Sequence, residues 1–478
     1  MKNLSEYIKH LEKKNELKRI TEEIDPKIEV TVIGEHYTRN NKEALLFENI
    51  KGSNFPLAVN LFGSKDRVSQ AFGVKHINEH SERIEQLLKP PKVSGILDAM
   101  GMLPKFAELG KQLIPKTIKK APCQEIVLKG DDANLDILPI PTLWPKDAGP
   151  YICLGSTITN DPETGSRNVG LYRLQKHDKK TLGMHWQLHK DGKRHEVKAS
   201  QKKEKIPVAI AIGGDPATMY SASAPLPPGI DEYLLAGFLN KKPVEVVKCI
   251  TSDIKVPAHA EFILEGWVDP DERKEEGPFG DHTGFYSHPG PYPVFHLEVI
   301  THRKKPIFPH IIVGKPLQED WFLGWATERI FLPLVKLFCS EIKDMHFPAE
   351  GVFHNMLLVS IKKSYPGQAR KVIHAIWGIG LLSLTKFIVV VDEDVDVQNP
   401  SETTFHALSN IDPKRDIVMD NGPVDVLDHA SPVEGFGSKI GFDGTRKIEG
   451  ESAIREWPEQ VGIDQEKIDE ILKKIKDN

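Results

Sequence analysis

Residues 275–286 read Glu275-Glu276-Gly277-Pro278-Phe279-Gly280-Asp281-His282-Thr283-Gly284-Phe285-Tyr286, between the apolar-rich runs Ala260–Val268 and Val294–Ile300. Gly and Pro punctuate turns, so the stretch is a loop tied down at both ends by strands. A rigid loop carrying Glu276 and Asp281 is a suitable place to hold a proton donor. Taken alone, the same residues describe a polar surface hairpin equally well. The segment Asn168–Arg173, taken up below, decides between the two readings.

Short β-rich runs extend outward from this loop. They are Ile126–Leu128, Ile152–Thr159, Val169–Gln175, Val208–Ile212, Val244–Cys249, Ala260–Val268, Val294–Thr301 and Ile307–Val313. Their number and spacing predict an antiparallel sheet or barrel, interrupted by one helix over Ile230–Asn240. The carboxylates of Asp231 and Glu232 suit the positive end of that helix. Before this region, Leu4–Asn15 carries apolar residues at helical spacing. Strands at Leu17–Ile20 and Ala44–Phe47 and helices at Glu29–Thr38, Arg67–Gly73 and Ser81–Leu88 complete a small α/β unit. After it, helices at Thr327–Phe338, Pro366–Trp377 and Ser401–Ser409 alternate with strands at Asn355–Ile361 and Phe387–Val391. The expected fold class is therefore α/β (α+β). Its expected divisions are residues 1–118, 119–319 and 320–455, followed by a charged amphipathic tail, 456–478, suited to packing on a partner subunit.

The 478 residues fit about three domains of ordinary size. Hydrophobic content of 39% and charged content of 27% allow a sizeable core. A net charge of −5 gives no electrostatic case for nucleic acid. No apolar run reaches the length of a membrane span, which leaves only peripheral membrane contact open. Residues Met1–Glu6 show no secretory pattern. Cys123, Cys153, Cys249 and Cys339 are widely separated, as free thiols in a reducing cytoplasm would be.

In Asn168-Val169-Gly170-Leu171-Tyr172-Arg173, strand alternation places Val169, Leu171 and Arg173 on one face. An arginine among apolar residues needs an anion, either a ligand group or a structural carboxylate. In the next segment, Thr181–Lys190, His185 and His189 are four residues apart, but Trp186 stands where a zinc protease has its glutamate. The segment also reads as a strand running into a loop, so helical spacing carries little weight. A histidine with an asparagine and a glutamate offers hard ligands that suit Mn²⁺ or Mg²⁺.

These segments resemble the UbiD-type decarboxylases, the family that includes 4-hydroxy-3-polyprenylbenzoate decarboxylase, along nearly the whole chain. The resemblance rests on Asn168–Arg173, Gly183–His189, Asp231–Tyr233, Glu245–Cys249, Glu276–Gly284, Thr385–Asp392 and Ser431–Lys439, in that order. It implies prenylated FMN, with Mn²⁺ and a monovalent cation such as K⁺ at its phosphate. It also implies a central split β-barrel, similar to the FMN-binding domains of flavin reductases, with α/β regions on either side. Residue by residue, the family's catalytic set falls on Arg173, Glu276 and Asp281. Its metal ligands fall on Asn168, a histidine and Glu232. Counting back from Ile206 favours His189 and matching forward from Gly183 favours His185. His189 is taken as the ligand, and His185 as a cofactor contact. The other cofactor positions are Asn168, Leu171, Tyr172, Arg173, Trp186, Gln187, Lys190, Glu232 and Lys386.

Loss of CO₂ from an unsaturated carbon needs an electron sink that no side chain supplies, which agrees with a cofactor-dependent decarboxylase. On this reading Arg173 pairs with Glu276, and Asp281 is left protonated to deliver the proton that replaces CO₂. The resemblance makes 4-hydroxy-3-polyprenylbenzoate, in ubiquinone biosynthesis, the leading substrate. Another aromatic or α,β-unsaturated acid, including a menaquinone-pathway acid, is the alternative. A flavin prenyltransferase is the expected supplier of the cofactor, and a dimer or hexamer the expected assembly. A flavin-binding reductase or binding module would use the same barrel without needing Arg173, Glu276 and Asp281 together.

Overall fold

The two long strands of the structure flank the stretch quoted first. In the computed structural model, which describes residues 1–89, 109–186, 191–227, 229–451 and 458–476, Phe262–Glu276 and Gly290–His302 form an antiparallel hairpin whose pairing reaches Glu276 opposite Gly290. Glu275 and Glu276 are thus strand residues. Between them and Gly290 the chain makes a smaller hairpin, Phe279–Gly280 against Tyr286–Ser287. Gly277 has φ +95°, and Gly284 has φ +82°. Both lie in the left-handed region that favours glycine, and so fix where this small hairpin turns.

The long hairpin is the centre of a nine-stranded sheet in which every pairing is antiparallel. On one side of it lie Thr181–Met184, Leu174–Lys176 and Tyr151–Ile152. On the other lie Ile206–Ile212, Gly155–Asn160 and Arg167–Leu171. Ile126–Lys129 pairs with the outer part of Gly290–His302. Among the described residues the hydrogen-bonded path of this sheet does not close on itself.

A four-stranded sheet lies on the N-terminal side. It pairs Leu17–Ile24 in parallel with Ala44–Ile50, the helix Glu29–Arg39 making the crossover. Its fourth strand, Phe308–Pro309, was expected in the central sheet but pairs with Leu57–Val59 instead. The C-terminal region holds a five-stranded mixed sheet, with Met356–Ile361 and Phe387–Asp392 parallel at its centre. The helix Glu319–Phe338 leads into this sheet and begins earlier than its apolar pattern predicts. One apolar core runs from Leu4 through the central sheet to Ile330, a second packs helix Glu232–Asn240 and Glu245–Lys248 against that sheet, and two more lie on the C-terminal sheet. The four cysteines are free and buried.

The expectation of a single helix in the central region is corrected. Asp191–Lys202 and Pro216–Ser221 are helical in addition to Glu232–Asn240. The buried face of Asp191–Lys202 is Gly192, His195, Glu196 and Ala199, so its amphipathic pattern is written mostly in polar residues. Among the described residues, no helix is long and apolar enough to cross a membrane.

Candidate active site

Arg173 lies just past the end of strand Arg167–Leu171, where the chain turns into Leu174–Lys176. From there its guanidinium reaches the end of the long hairpin. Nε donates to Oε1 of Glu276 at 3.0 Å and Nη2 to Oε2 at 2.9 Å, a two-pronged pairing, while Nη1 donates to Asp281. Glu276 is fully buried. The same Oε2 accepts Nδ1–H of His185 at 2.9 Å, and the His185 ring stacks on Tyr292 with centroids 4.2 Å apart. Burial pushes the His185 pKa down, so the ring is neutral and carries its proton on Nδ1, the nitrogen that faces a carboxylate. Burial alone would raise the Glu276 pKa. The hydrogen bond from His185 and the charge of Arg173 outweigh it and bring it to about 2.

The loop is held from beneath. Asp147 accepts the amide of Gly280 at 2.7 Å and that of Trp144 at 2.8 Å. A Cβ on Gly280 would sit 2.2 Å from the Trp144 ring, so only glycine fits there. Gln175 accepts the amide of Gly277 at 2.8 Å and the hydroxyl of Tyr151 at 3.0 Å. The Phe279 ring lies 4.9 Å below the Arg173 guanidinium.

One expectation fails here. Asp281 is not left as a protonated acid. Burial works to raise its pKa, but His282 turns back and donates both its amide and its Nδ1–H to Oδ1, each at 2.8 Å. These bonds, with the charges of His282 and Arg173, hold the Asp281 carboxyl well below its ordinary value. The proton resides on His282 instead. Against burial, which lowers it, the bond to and charge of Asp281 raise the His282 pKa to about 8. Nε2 of His282 meets Nε2 of His354 at 2.8 Å, and burial lowers His354 to about 4, so His354 accepts. Asp320, at the start of helix Glu319–Phe338, is raised by burial to about 7, against the opposing charge of His282. The Phe285 ring of the loop packs at a tilt against His429, with centroids 4.3 Å apart, a second contact with the C-terminal region. Sequence reasoning missed Gln175, Tyr292, His282 and His354. His282 was in view beside Asp281, but nothing marked its partner 72 residues away.

The remaining sequence-predicted residues form a second group. Asn168 and Glu232 are both buried, and Glu232 accepts the amide of Val169 at 2.9 Å, beside Asn168. Burial pushes the Glu232 carboxyl up to about 7, as expected for an acid whose charge lacks a full partner. Nδ2 of Asn168 and Nε1 of Trp186 are buried without a hydrogen-bond partner. The hydroxyl of Tyr172 accepts the amide of Gly192 at 3.3 Å, and a Cβ on Gly192 would meet both Tyr172 and Trp186 at 3.0 Å. This is a cradle with two unused donors and a buried carboxylate. Its chemistry fits a phosphate held with a hard cation. Leu171 lies beside it on the same strand. Gln187, His189 and Lys190 lie outside the described residues. Among the described residues no cluster of three His, Cys, Asp or Glu side chains could hold a metal, so Asn168 and Glu232 are the part of the expected ligand set that can be placed. Lys386 lies just before Phe387–Asp392, the central strand of the C-terminal sheet, and Asp428 holds its ammonium at 2.8 Å.

Known proteins align with this architecture from end to end. Three family descriptions match in succession. They are the 3-octaprenyl-4-hydroxybenzoate carboxy-lyase N-terminal domain over residues 8–87, the Rift-related domain over 116–316 and the C-terminal domain over 321–444. An uncharacterized protein of Aquifex aeolicus (strain VF5) is 48% identical over 480 residues, covering 99% of this chain and 98% of its own. Among solved structures, the UbiD-class enzyme HmfF from Pelotomaculum thermopropionicum, in complex with FMN, is 30% identical with a TM-score of 0.79, covering 95% of this chain and 97% of its own. Vanillic acid decarboxylase from Sedimentibacter hydroxybenzoicus, in its closed form, is 28% identical with a TM-score of 0.86, covering 100% and 99%.

Proposed function

The chain belongs to the UbiD family of prenylated-FMN-dependent carboxy-lyases, and on that premise we propose that Arg173, Glu276 and Asp281 carry the non-oxidative decarboxylation of an aromatic acid. The observation that carries this reading is a single buried guanidinium shared by two carboxylates at the mouth of the long hairpin. When bound, the prenylated flavin supplies the electron sink that side chains lack. Arg173 is the only cation in direct contact with both carboxylates among the described residues, and it fixes their separation. Glu276, held ionised by Arg173 and His185, orients that cation. Asp281 passes to the product carbon a proton drawn from Nδ1 of His282. Asn168, Tyr172, Trp186 and Glu232 would hold the flavin phosphate and its Mn²⁺, with K⁺ as the companion cation. The nine-stranded sheet is read as the split barrel that carries this cradle, within the division 1–118, 119–319 and 320–455.

The leading substrate is 4-hydroxy-3-polyprenylbenzoate, a reading supported by the family's own description. A small phenolic acid is the second reading, favoured by the likeness to vanillic acid decarboxylase. A panel holding a short-chain prenylated 4-hydroxybenzoate and vanillic acid separates the two by which one releases CO₂. The enzyme is read as a cytoplasmic homo-oligomer, supported by the charged helix Gln465–Lys476.

Two predictions arise here. Protein co-produced with a flavin prenyltransferase is expected to release CO₂ from its substrate, whereas protein holding plain FMN is inactive. Full turnover with FMN alone would overturn the cofactor assignment. Glu232→Ala is expected to lower the flavin that co-purifies with the protein several-fold, with an unchanged circular dichroism spectrum. Wild-type flavin content in that variant would remove Glu232 from the ligand set.

A further inference from the structure

Three separate elements meet at His282. Its own loop sets Asp281 against Nδ1 at 2.8 Å. The turn 349–355, which leads into strand Met356–Ile361, brings Nε2 of His354 to 2.8 Å from Nε2 of His282, with the ring centroids 5.0 Å apart. Phe353 of the same turn lies 5.2 Å from the His282 ring. Helix Glu319–Phe338 closes the third side. A Cβ on Gly324 would come 3.2 Å from Cβ and Cγ of Phe353, so the helix lets the turn approach only because a glycine stands there.

The turn adopts a costly backbone to make this contact. Val352 has φ +46° and Phe353 has φ +49°. The left-handed region is uncommon for any residue but glycine, and a β-branched valine there is an outlier. Such strain persists only where the surroundings fix it, and it gathers at functional sites. The turn is pinned at its end, where the amide of Asn355 donates to the carbonyl of Gly351 at 2.8 Å and the carbonyl of Asn355 accepts the amides of Lys386 and Phe387 at 3.1 and 2.7 Å. Packing accounts for Phe353, which lies against two apolar cores. It does not account for an imidazole at the next position, whose Nε2 is spent on His282. Only one proton can lie between two nitrogens at that distance. With Nδ1–H of His282 given to Asp281, an imidazolium at 282 places its second N–H on His354, which accepts it as a neutral ring.

We propose that His354 is a positioning residue of the decarboxylation site, which accepts the second N–H of His282 and so holds that ring as an imidazolium with Nδ1–H aimed at Asp281. The inference rests on the reading in which Asp281 delivers a proton drawn from His282. The charged groups bearing on His282 are Asp281 of its own loop, with Arg173 behind it, Asp320 at the start of helix Glu319–Phe338, and Asp425 after strand Ile417–Pro423. All three carboxylates favour the charged ring. Among the described residues only Asp281 and His354 form hydrogen bonds with the ring, so these two fix its orientation. The donor thus stands on the long hairpin and its support comes from the C-terminal region, so the proton is aimed only while the two regions are in contact.

The test compares His354→Asn with His354→Gln in the cofactor-loaded enzyme. The glutamine amide oxygen can stand where Nε2 of the histidine stood and accept the same N–H, whereas asparagine stops short, at the level of Nδ1. His354→Asn is expected to move the alkaline limb of turnover toward acid by about one pH unit, the shift that loss of one charge-assisted hydrogen bond gives. The titration of His282, followed by NMR of histidine-labelled enzyme, should move with it, and flavin content should not change. His354→Gln should keep both the limb and the titration at their wild-type positions. If His354→Asn does not fold, His354→Phe decides, because it keeps a ring and lacks an acceptor. An unmoved limb or an unmoved His282 titration in the folded variant, or a glutamine variant no closer to wild type than asparagine, would overturn the proposal. Failure of the underlying reading shows separately, as undiminished turnover in Asp281→Asn.

Discussion

Asp281→Asn is expected to lower turnover by about 10²–10⁴-fold, the usual worth of a positioned general acid, while the co-purified flavin stays at its wild-type level. The substitution keeps size and polarity, but an amide relays no proton. In the resting site the proton is shared by a pair, with Asp281 ionised and Nδ1 of His282 donating to it at 2.8 Å. His282 titrates at about 8, above the roughly 6.5 of an unfolded histidine. The sign follows from the raised value. The stability this pair contributes is complete below about pH 6.5 and is lost as pH rises through about 8. Proton delivery should fade along the same alkaline limb. In Asp281→Asn the histidine loses its anionic partner, so the limb of the residual activity should move toward acid. Release of CO₂ and incorporation of solvent deuterium into product, measured across pH 6–9.5, check both statements. Wild-type rates for both would place the donor elsewhere, first of all at Glu276.

Which parts of this site the sequence could disclose follows from the range of each interaction. The long hairpin is legible because apolar runs on both sides of a Gly-Pro loop can hardly be anything else, and Glu276 follows from it. The need of Arg173 for an anion is legible from its apolar neighbours, although the strand whose alternation suggested it ends at Leu171, two residues earlier. The protonation state of Asp281 is not, because it depends on His282 turning back on its neighbour and on His354 arriving from the turn before strand Met356–Ile361. Phe308–Pro309 is visibly extended, but a two-residue strand carries no mark of its partner, and it joins the N-terminal sheet. Helix Asp191–Lys202 escapes for a different reason. It buries His195 and Glu196, which a hydrophobic period cannot register. His195 is held there by the hydroxyl of Thr159 at 2.8 Å, and Glu196 by the ammonium of Lys193 at 2.9 Å.

Arg173→Met is expected to abolish measurable decarboxylation and to destabilise the fold by about 3–5 kcal/mol, the cost of breaking a buried ion pair from one side. Methionine fills much of the volume over Phe279 but leaves Glu276 and Asp281 as neighbouring buried acids. His185 is neutral and supplies a hydrogen bond to Glu276 without a charge. With the guanidinium gone, burial and mutual repulsion both act to raise the two carboxyl pKa values. The folded-state value of Glu276 is depressed to about 2, below the roughly 4.3 of an unfolded glutamate. Its stabilisation is therefore present above about pH 4.3 and lost as pH falls through about 2. In the variant that margin closes, and the stability difference from wild type should be largest at neutral pH and shrink toward acid. Arg173→Lys should recover part of the stability, because it restores a positive charge. It should recover little activity, because an ammonium cannot hold Glu276 with two prongs and reach Asp281 as well. Urea midpoints of the three proteins at pH 5 and pH 7, with single-turnover rates of the cofactor-loaded forms, provide the measurement. A wild-type midpoint and rate in Arg173→Met would mean that this guanidinium neither holds the two acids together nor takes part in the reaction.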